Sequence, residues 1–253
     1  MIDQASLQEI AAWLRQATNV VVLTGAGIST ASGIPDFRGP NGVWTKDPKA
    51  ERLSHIQYYM SDPEVRVESW RQRLDHPAWK AEPNAGHGAL AELERKGRLQ
   101  LLVTQNIDGL HRIAGSSPER MIEIHGTMRE VVCMNCGERA PMERALSRVR
   151  AGEGDPPCRT CGGILKSATI SFGQNLVPED LARAQEAAAG CDVFLAVGSS
   201  LGVYPAARLP AIAVSAGARL VIINAEPTPY DAVADAVFHQ EIVEVLPAIV
   251  SLV

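Results

Sequence analysis

A short apolar run followed by a glycine turn constrains the fold of this chain more than any other stretch. Residues 20–23 read Val-Val-Val-Leu, and Gly25-Ala26-Gly27 begins one residue later. A run rich in β-branched residues predicts a buried parallel strand. A glycine turn that leads from such a strand into a helix, here residues 28–32, brings backbone N–H groups close to a bound phosphate. The turn is therefore a candidate dinucleotide site, although the next glycine, Gly33, falls later than the Gly-x-Gly-x-x-Gly pattern requires.

The same alternation of strand and helix patterns continues through most of the chain. Residues 5–17 form an amphipathic helical pattern whose apolar face contains Leu7, Ile10, Ala11 and Leu14. Further strand-like runs follow at residues 99–104, 121–125, 191–197 and 219–224, and residues 234–253 add a last strand and helix. This order predicts an α/β fold with a Rossmann-like, doubly wound parallel sheet.

Four of the five cysteines form two Cys-x-x-Cys pairs, which is a strong signal for a metal site. Cys133 and Cys136 are followed by Cys158 and Cys161 at a spacing close to that of four-cysteine zinc ribbons. Four thiolates complete a tetrahedral shell and leave no position for water, so the Zn²⁺ is expected to be structural. Cys191 lies in an apolar run and is interpreted as a small buried hydrophobic residue.

Two segments interrupt the alternation and predict a smaller inserted domain. Residues 39–83 are rich in proline, charge and aromatic side chains, and Asp62-Pro63-Glu64 has the composition of a helix start. We expect this segment to form a helical module with a cofactor loop, and residues 127–164 to form the zinc-binding module. The Rossmann-like domain is then expected to contain residues 1–38, 84–126 and 165–253.

Charge and hydropathy exclude several classes of protein. The net charge of -5 and the pI of about 5.7 provide no basic field for nucleic acid. No apolar run approaches the length that spans a bilayer, and the first residues lack the basic and apolar regions of a secretory signal. Together with cysteines arranged for a metal, these features predict a cytoplasmic protein without nucleic-acid or membrane partners.

Polar residues follow the predicted strands at their C-terminal ends, where open parallel sheets bind ligands. Gln105-Asn106-Ile107-Asp108 follows the strand at residues 99–104, and His125-Gly126 ends the strand at residues 121–125. On position alone, Asp108 is also a candidate helix cap, and a lone histidine such as His125 is more often a packing residue.

These segments together resemble the sirtuin family, the NAD-dependent protein deacylases. The family signature Gly-Ala-Gly-Ile-Ser stands at residues 25–29, and its continuation Gly-Ile-Pro-Asp-Phe-Arg stands at residues 33–38. The Gln-Asn-Ile-Asp tetrad is complete at residues 105–108, a His-Gly pair follows at residues 125–126, and Gly-Ser-Ser-Leu stands at residues 198–201. The resemblance covers about residues 20–245, essentially the whole chain.

The resemblance implies a role for each of these groups. It makes His125 the general base, assigns the nicotinamide, its ribose and an ordered water to Asn106 and Asp108, and places Gln105 beside the ribose. The other NAD-binding residues that it implies are Gly25, Ala26, Gly27, Ser29, Asp36, Phe37, Arg38, Trp44, Ile107, Gly198, Ser199, Ser200, Asn224, Ala225, Glu226 and Ile242.

The resemblance also implies a cleft for an acyl-lysine peptide. Phe172-Gly173-Gln174 and Val203 would form its two pairing edges, with Gln174 in place of the glutamate that is usual in the family. Some sirtuins that prefer acidic acyl chains carry Tyr-x-x-Arg in the helical module, where this chain has Trp70 and Arg73. The alternative is that Trp70 belongs to the core and Arg73 is a surface charge.

The function implied by the resemblance is NAD-dependent deacylation of protein lysine, most simply deacetylation, with nicotinamide and O-acyl-ADP-ribose as products. Mono-ADP-ribosyl transfer to protein and desuccinylase-type acyl specificity are alternatives that use the same cofactor. A dehydrogenase is disfavoured because the tetrad at residues 105–108 and the four-cysteine module are not features of that class. A non-catalytic zinc-ribbon module would leave the polar clusters without a purpose.

Overall fold

The structure, a computed structural model, describes residues 3–37, 39, 42–46 and 52–253 and, of Trp44, the backbone only. In chain order its strands are β1 (Val20–Thr24), β2 (Leu99–Thr104), β3 (Met121–Glu123), β4 (Gly126–Cys133), β5 (Arg139–Pro141), β6 (Leu165–Thr169), β7 (Val193–Val197), β8 (Arg219–Ile223) and β9 (Ala236–Phe238). Its α-helices are α1 (Gln4–Gln16), α2 (Val43–Lys46), α3 (Ile56–Ser61), α4 (Pro63–Leu74), α5 (Ala85–Arg95), α6 (Leu110–Ile113), α7 (Glu143–Arg150), α8 (Pro178–Ala189), α9 (Leu209–Ser215) and α10 (Ile242–Ser251). None of the helices in the described part of the chain has the length and apolar character that a membrane crossing requires.

Six parallel strands form the larger sheet, in the order β3-β2-β1-β7-β8-β9. This order confirms the predicted Rossmann-like sheet. The central strand β1 is buried at every position, because a parallel strand that is covered on both faces must be apolar along its whole length. The chain proceeds from β1 to β2 on one side, and β7 lies on the other side. The topological switch point is therefore at the C-terminal ends of β1 and β7, where such sheets bind ligands.

Helices cover both faces of this sheet. Val20 and Val22 belong to the core shared with α1, α5 and α10, whereas Val21 and Leu23 belong to the core shared with α8 and α9. The alternation follows from the period of two in a strand. The apolar face predicted for α1 is confirmed, since all four of its members, Leu7, Ile10, Ala11 and Leu14, are buried.

A separate antiparallel sheet, ordered β5-β4-β6, forms the smaller unit together with α4 and α7. Its third strand corrects the expected domain bounds, in which residues 165–253 belong to the Rossmann-like domain. β6 instead pairs with β4, with Ser167 opposite Val131 and Leu165 opposite Cys133. An apolar run is compatible with either sheet, and only pairing between residues distant in sequence decides between them. The chain therefore returns to the large sheet after residue 169.

The segment after β1 also differs from expectation. Residues Ala26–Ser32 form a 3₁₀ helix, and Gly33 ends it with a φ of 82°. The Ile, Ser and Thr side chains of this stretch favour α-helix poorly, and glycine readily takes the left-handed conformation that ends such a turn. The region of residues 39–83 does contain the short helices expected of it, and the Asp62 carboxylate caps α4 by accepting the Glu64 N–H over 2.9 Å.

Candidate active site

Two glycine turns meet at the switch point of the large sheet. The N–H of Gly27, after β1, donates to the carbonyl oxygen of Gly198, after β7, over 2.8 Å. A Cβ added to Gly25 would lie 2.6 Å from the oxygen of Gly198, and one added to Gly198 would lie 2.4 Å from the nitrogen of Ile28. Glycine is therefore required here because the two turns pack backbone against backbone. The sequence had suggested only the approach of a phosphate as a reason.

Ser29 links the glycine turn to the polar tetrad that follows β2. Its hydroxyl donates to Oδ2 of Asp108 over 2.8 Å and accepts from the side-chain amide nitrogen of Asn106 over 3.1 Å. The same nitrogen of Asn106 donates to the carbonyl oxygen of Gly25 over 3.1 Å. The side chains of Ser29, Asn106 and Asp108 are all buried. The amide of Asn106 is thereby fixed in orientation, and its Oδ1 has no hydrogen bond from the described residues and is available to a ligand.

Two buried histidines continue this network into the protein. Nδ1 of His87 accepts the backbone N–H of Asn84 over 3.3 Å, so Nε2 carries the proton and lies 3.4 Å from the hydroxyl of Ser29. The ring of His111 lies 4.8 Å from that of His87, centroid to centroid, and its Nε2 lies 3.0 Å from the hydroxyl of Thr24. Burial lowers the pKa of both rings, that of His111 to about 3. Both histidines are therefore neutral at ordinary pH and serve to orient their neighbours.

His125 is held by one hydrogen bond to the tetrad. Its Nδ1 lies 3.0 Å from the carbonyl oxygen of Gln105. A carbonyl oxygen only accepts, so Nδ1 carries the proton and Nε2 of the neutral ring has a free lone pair. Burial lowers the pKa of His125, and the bond to Gln105 opposes that shift in part. The ring is therefore a neutral base at physiological pH.

The turn after β7 contacts the tetrad through its first serine. The hydroxyl of Ser199 donates to Oε1 of Gln105 over 2.7 Å and accepts the backbone N–H of Leu201 over 3.2 Å. This bond joins the loops that follow β2 and β7. Ser200, the next residue, is exposed.

The loop after β8 provides the far end of the candidate site. Asn224 is buried, and its side-chain nitrogen donates to the carbonyl oxygen of Glu226 over 2.7 Å, which closes a turn around Ala225. Ile242 is the first residue of α10, and its side chain packs in the core beside Gly86. The NAD contact expected of Ile242 would therefore involve its backbone rather than its side chain.

The loop after Gly33 is described in part. The Asp36 carboxylate accepts the N–H of Gly39 over 3.0 Å, and the Asp36 carbonyl oxygen accepts the N–H of Val43 over 2.9 Å. Phe37 is exposed at 41%. Arg38 and the side chain of Trp44, both predicted to bind NAD, lie outside the described residues.

The two predicted peptide edges differ in how many of their backbone groups are already paired. Phe172 donates its N–H to Ser54 over 2.8 Å, and its carbonyl oxygen accepts the N–H of Ile56 over 3.0 Å. The side chain of Gln174 accepts the N–H of Ser171 over 2.9 Å and closes its own turn. The N–H of Gln174 also donates to the carbonyl oxygen of Ser171 over 3.0 Å, so Gly173 is the residue of this edge whose N–H is unpaired among the described residues. On the other edge, the carbonyl oxygen of Val203 accepts the N–H of Ala207 over 2.9 Å.

Trp70 and Arg73 have different environments, although both were predicted to bind substrate. Trp70 is 2% exposed and packs with Cys133, Cys158 and other residues of the small core. A ring enclosed in this way cannot contact a substrate. The prediction that Trp70 binds substrate is therefore wrong, and the alternative, that Trp70 belongs to the core, is correct. Arg73 is half-buried and donates to the hydroxyl of Ser167 over 3.0 Å.

The four paired cysteines come together as predicted. Their Sγ atoms lie within 4.8 Å of one another, with 3.5 Å between Cys133 and Cys161 and 3.9 Å between Cys136 and Cys158. Tetrahedral Zn–S bonds of about 2.3 Å separate the sulfurs by about 3.8 Å, so the quartet fits Zn²⁺. Cys191 is buried in the core of the large unit, apart from the quartet.

Several residues of this site were not found from the sequence. Thr24 and Thr104 end two neighbouring strands, and their hydroxyls bond to each other over 2.8 Å beneath the tetrad. A polar residue at the end of each of two apolar strands was the signal that could have identified them. Neither His87 nor Arg129 stands in a motif that identifies it from the sequence.

The donor set along this edge fits NAD. Buried hydroxyl, amide and carboxylate groups follow β1, β2, β7 and β8, and these are the groups that bind ribose hydroxyls and a carboxamide. They are contributed by Ser29, Asn106, Asp108, Ser199 and Asn224.

Comparison with known proteins gives one consistent result. The profile described as the Sir2 family matches residues 25–205. NAD-dependent protein deacetylase 2 of Streptomyces coelicolor is 55% identical over 230 residues, which are 91% of this chain and 95% of that protein. NAD-dependent protein deacetylase 1 of Pyrobaculum aerophilum is 44% identical over 244 residues, 95% of this chain and 92% of that protein.

Solved structures agree with these relatives. A Sir2 variant with a deacetylated p53 peptide and 3'-O-acetyl ADP ribose has a TM-score of 0.89 and 36% identity, and 97% of each chain is covered. A complex of Sir2 with a p53 peptide and NAD+ has a TM-score of 0.87 and 35% identity, again with 97% of each chain covered.

Proposed function

Because the chain belongs to the Sir2 family, we propose that it is an NAD-dependent protein-lysine deacylase that acts as a deacetylase and releases nicotinamide and O-acyl-ADP-ribose. One observation carries the proposal at the level of chemistry. The imidazole of His125 is neutral, and its Nε2 has a free lone pair because Nδ1 bonds to the carbonyl oxygen of Gln105. Gln105 belongs to the same loop as Asn106 and Asp108, whose side chains are oriented by Ser29. A base and an orienting amide–carboxylate pair are what acyl transfer to a nucleotide sugar requires.

Each residue has a distinct part in this proposal. When bound, NAD supplies a glycosidic carbon from which nicotinamide departs as the acyl oxygen of the substrate bonds to it. Ser29 holds the side chains of Asn106 and Asp108 in one orientation, so that they act as fixed dipole and charge toward the nicotinamide and its ribose. Nε2 of His125 accepts a proton from a ribose hydroxyl of the cofactor. The bond of Nδ1 to Gln105 keeps the ring in the tautomer that can accept this proton.

The zinc module has a structural part in the same proposal. Four thiolates complete the shell of the ion, so Zn²⁺ would stabilise the three-stranded sheet without contacting substrate. Both knuckles close alike, since the carbonyl oxygen of Cys133 accepts the N–H of Gly137 over 3.0 Å and that of Cys158 accepts the N–H of Gly162 over 2.9 Å. None of the five cysteines forms a disulfide bond, which supports the further proposal of a cytoplasmic, reducing location.

Protein or peptide acyl-lysine is the proposed partner, bound between Gly173 and the segment at Val203. A second acyl specificity, for chains that end in a carboxylate, is favoured by one observation. Arg73 is half-buried and donates to the hydroxyl of Ser167, and it forms no ion pair with a described carboxylate. A guanidinium without an acidic partner would pair with the terminal carboxylate of such an acyl chain.

The test is an assay of nicotinamide release from NAD by the purified chain. Release is expected with an acetyl-lysine peptide and not with the same peptide carrying free lysine. Release without acyl-lysine, with label from NAD retained on protein, would instead indicate mono-ADP-ribosyl transfer. Formation of NADH would indicate a dehydrogenase, and no release with any acyl-lysine peptide would contradict the proposal.

A further inference from the structure

Three carbonyl oxygens of the loop at residues 105–109 are held from one short segment. The Gln105 oxygen accepts from His125, the Ile107 oxygen accepts the N–H of Met128 over 2.9 Å, and the Asp108 oxygen accepts Nε of Arg129 over 2.8 Å. The first two bonds come from a proposed catalytic residue and from backbone. The third bond differs from both, because Arg129 is not a proposed catalytic residue and donates from its side chain.

Arg129 joins this loop to a third segment of the chain. Its second guanidinium nitrogen donates to the carbonyl oxygen of Ala78 over 3.0 Å, and the guanidinium carbon lies 5.2 Å from the centre of the Trp79 ring. Ala78 and Trp79 belong to the helical insertion. One planar group therefore connects the start of β4, the loop that carries Asp108, and the helical insertion, and a guanidinium can make both bonds at once because its donors form a rigid fork.

The neighbouring glycine supports this arrangement. Gly109 has a φ of 75°, and a Cβ there would lie 3.1 Å from Nε of Arg129. The loop thus passes beside the guanidinium at a distance that an ordinary side chain would disturb. The side chain of Arg129 is half-buried, and the carboxylates of Asp108 and Glu123 oppose the lowering of its pKa by burial.

We propose that Arg129 is a positioning residue for the deacylase reaction, which sets the Asp108 carboxylate by holding the Asp108 carbonyl oxygen and by joining it to the helical insertion at Ala78. The proposal rests on the proposed function. Asp108 has little freedom at its side chain, since Ser29 and the Leu110 N–H occupy its two oxygens. The carboxylate can then shift only if the backbone of Asp108 moves, and the bond from Arg129 to the Asp108 carbonyl oxygen restrains that movement.

Arg129→Met and Arg129→Lys test the proposal against Arg139→Met as a matched control. Arg139 is an arginine of the same module whose guanidinium pairs with Glu130 of β4 and has no hydrogen bond or ion pair with the described residues of the loop at residues 105–109 or of the helical insertion. Arg129→Met should lower kcat/KM for NAD by about 10- to 100-fold, as expected for the loss of a hydrogen bond from a charged donor. Arg129→Lys should recover part of the loss, because one ammonium can replace one of the two bonds. Arg139→Met should match the wild type.

Hydrogen–deuterium exchange of the NAD-free proteins gives a readout that is independent of activity. The Leu110 amide, which is bonded to the Asp108 carboxylate, should exchange faster in Arg129→Met than in wild type or Arg139→Met. Unchanged kcat/KM and unchanged exchange in a folded Arg129→Met protein would overturn the inference while the deacylase function stood. If Arg129→Met fails to fold, Arg129→Lys with wild-type kcat/KM and exchange would overturn it equally. A wild-type protein without acyl-lysine-dependent nicotinamide release would instead refute the proposed function.

Discussion

The hydroxyl of Ser29 donates a hydrogen bond to the carboxylate of Asp108 over 2.8 Å, and it accepts one from Asn106 in return. One small side chain on the glycine turn therefore sets the orientation of two groups on the neighbouring strand's loop. The turn after β1 therefore orients side chains in addition to forming part of the proposed cofactor site.

Removal of that hydroxyl should reduce activity strongly. Ser29→Ala leaves Oδ2 of Asp108 and the Asn106 amide with one partner fewer each, and we expect kcat/KM for NAD to fall by about 10- to 100-fold. Ser116→Ala is the control, because the hydroxyl of Ser116 is buried without a hydrogen-bond partner among the described residues. That variant should keep full activity and equal or higher thermal stability. Equal activity in the two variants would show that the Ser29 bridge is unimportant.

The pH dependence of turnover should reflect a depressed pKa at His125. Burial lowers the pKa of this ring below its usual value of about 6.5, so the neutral, basic form persists to lower pH. Activity should be full above a pH of about 6.5 and should decline only as the pH falls through the lowered pKa of His125. A profile of kcat/KM against pH measures this, with circular dichroism to confirm that the protein remains folded. An acidic limb centred above pH 7 would contradict the assignment.

Loss of one zinc ligand should unfold the small unit. Cys158→Ser should abolish stoichiometric zinc and remove or lower the thermal transition, because structural zinc contributes about 10–16 kcal/mol in small zinc domains. Cys191→Ala, which alters a buried cysteine outside the quartet, should retain zinc and melt close to the wild type. Metal analysis and thermal denaturation measure both. A zinc-free Cys158→Ser protein with a wild-type melting curve would rule out a structural role for the ion.

Acyl preference should depend on Arg73 if the second specificity holds. Arg73→Met should reduce activity on succinyl-lysine more than on acetyl-lysine, because only the former places a carboxylate near the guanidinium. The ratio of the two kcat/KM values is the measurement. An equal loss on both substrates would leave Arg73 as a structural residue that supports β6 through Ser167.

Local patterns predicted much of this protein, and contacts between distant residues account for the rest. The β-branched run predicts a buried strand and the two Cys-x-x-Cys pairs predict a cluster of thiols, each from a few neighbouring residues. Both predictions are confirmed. The partner of β6 could not be predicted in this way, because an apolar strand does not specify which sheet receives it. Nor could the contacts of Arg129, which reach residues 21 and 51 positions away. Trp70 was expected at the substrate because it stands where some sirtuins have the tyrosine of Tyr-x-x-Arg, and position in a motif does not show whether a ring is buried in the core.

The central claim, that a neutral His125 serves as the base in one cleft shared by NAD and acyl-lysine, is tested most directly by acetyl-lysine-dependent nicotinamide release in His125→Ala. Our account predicts a loss of about 10²- to 10⁴-fold or more in kcat, with the dissociation constant for NAD close to that of the wild type. Turnover at the wild-type rate in this variant would contradict it.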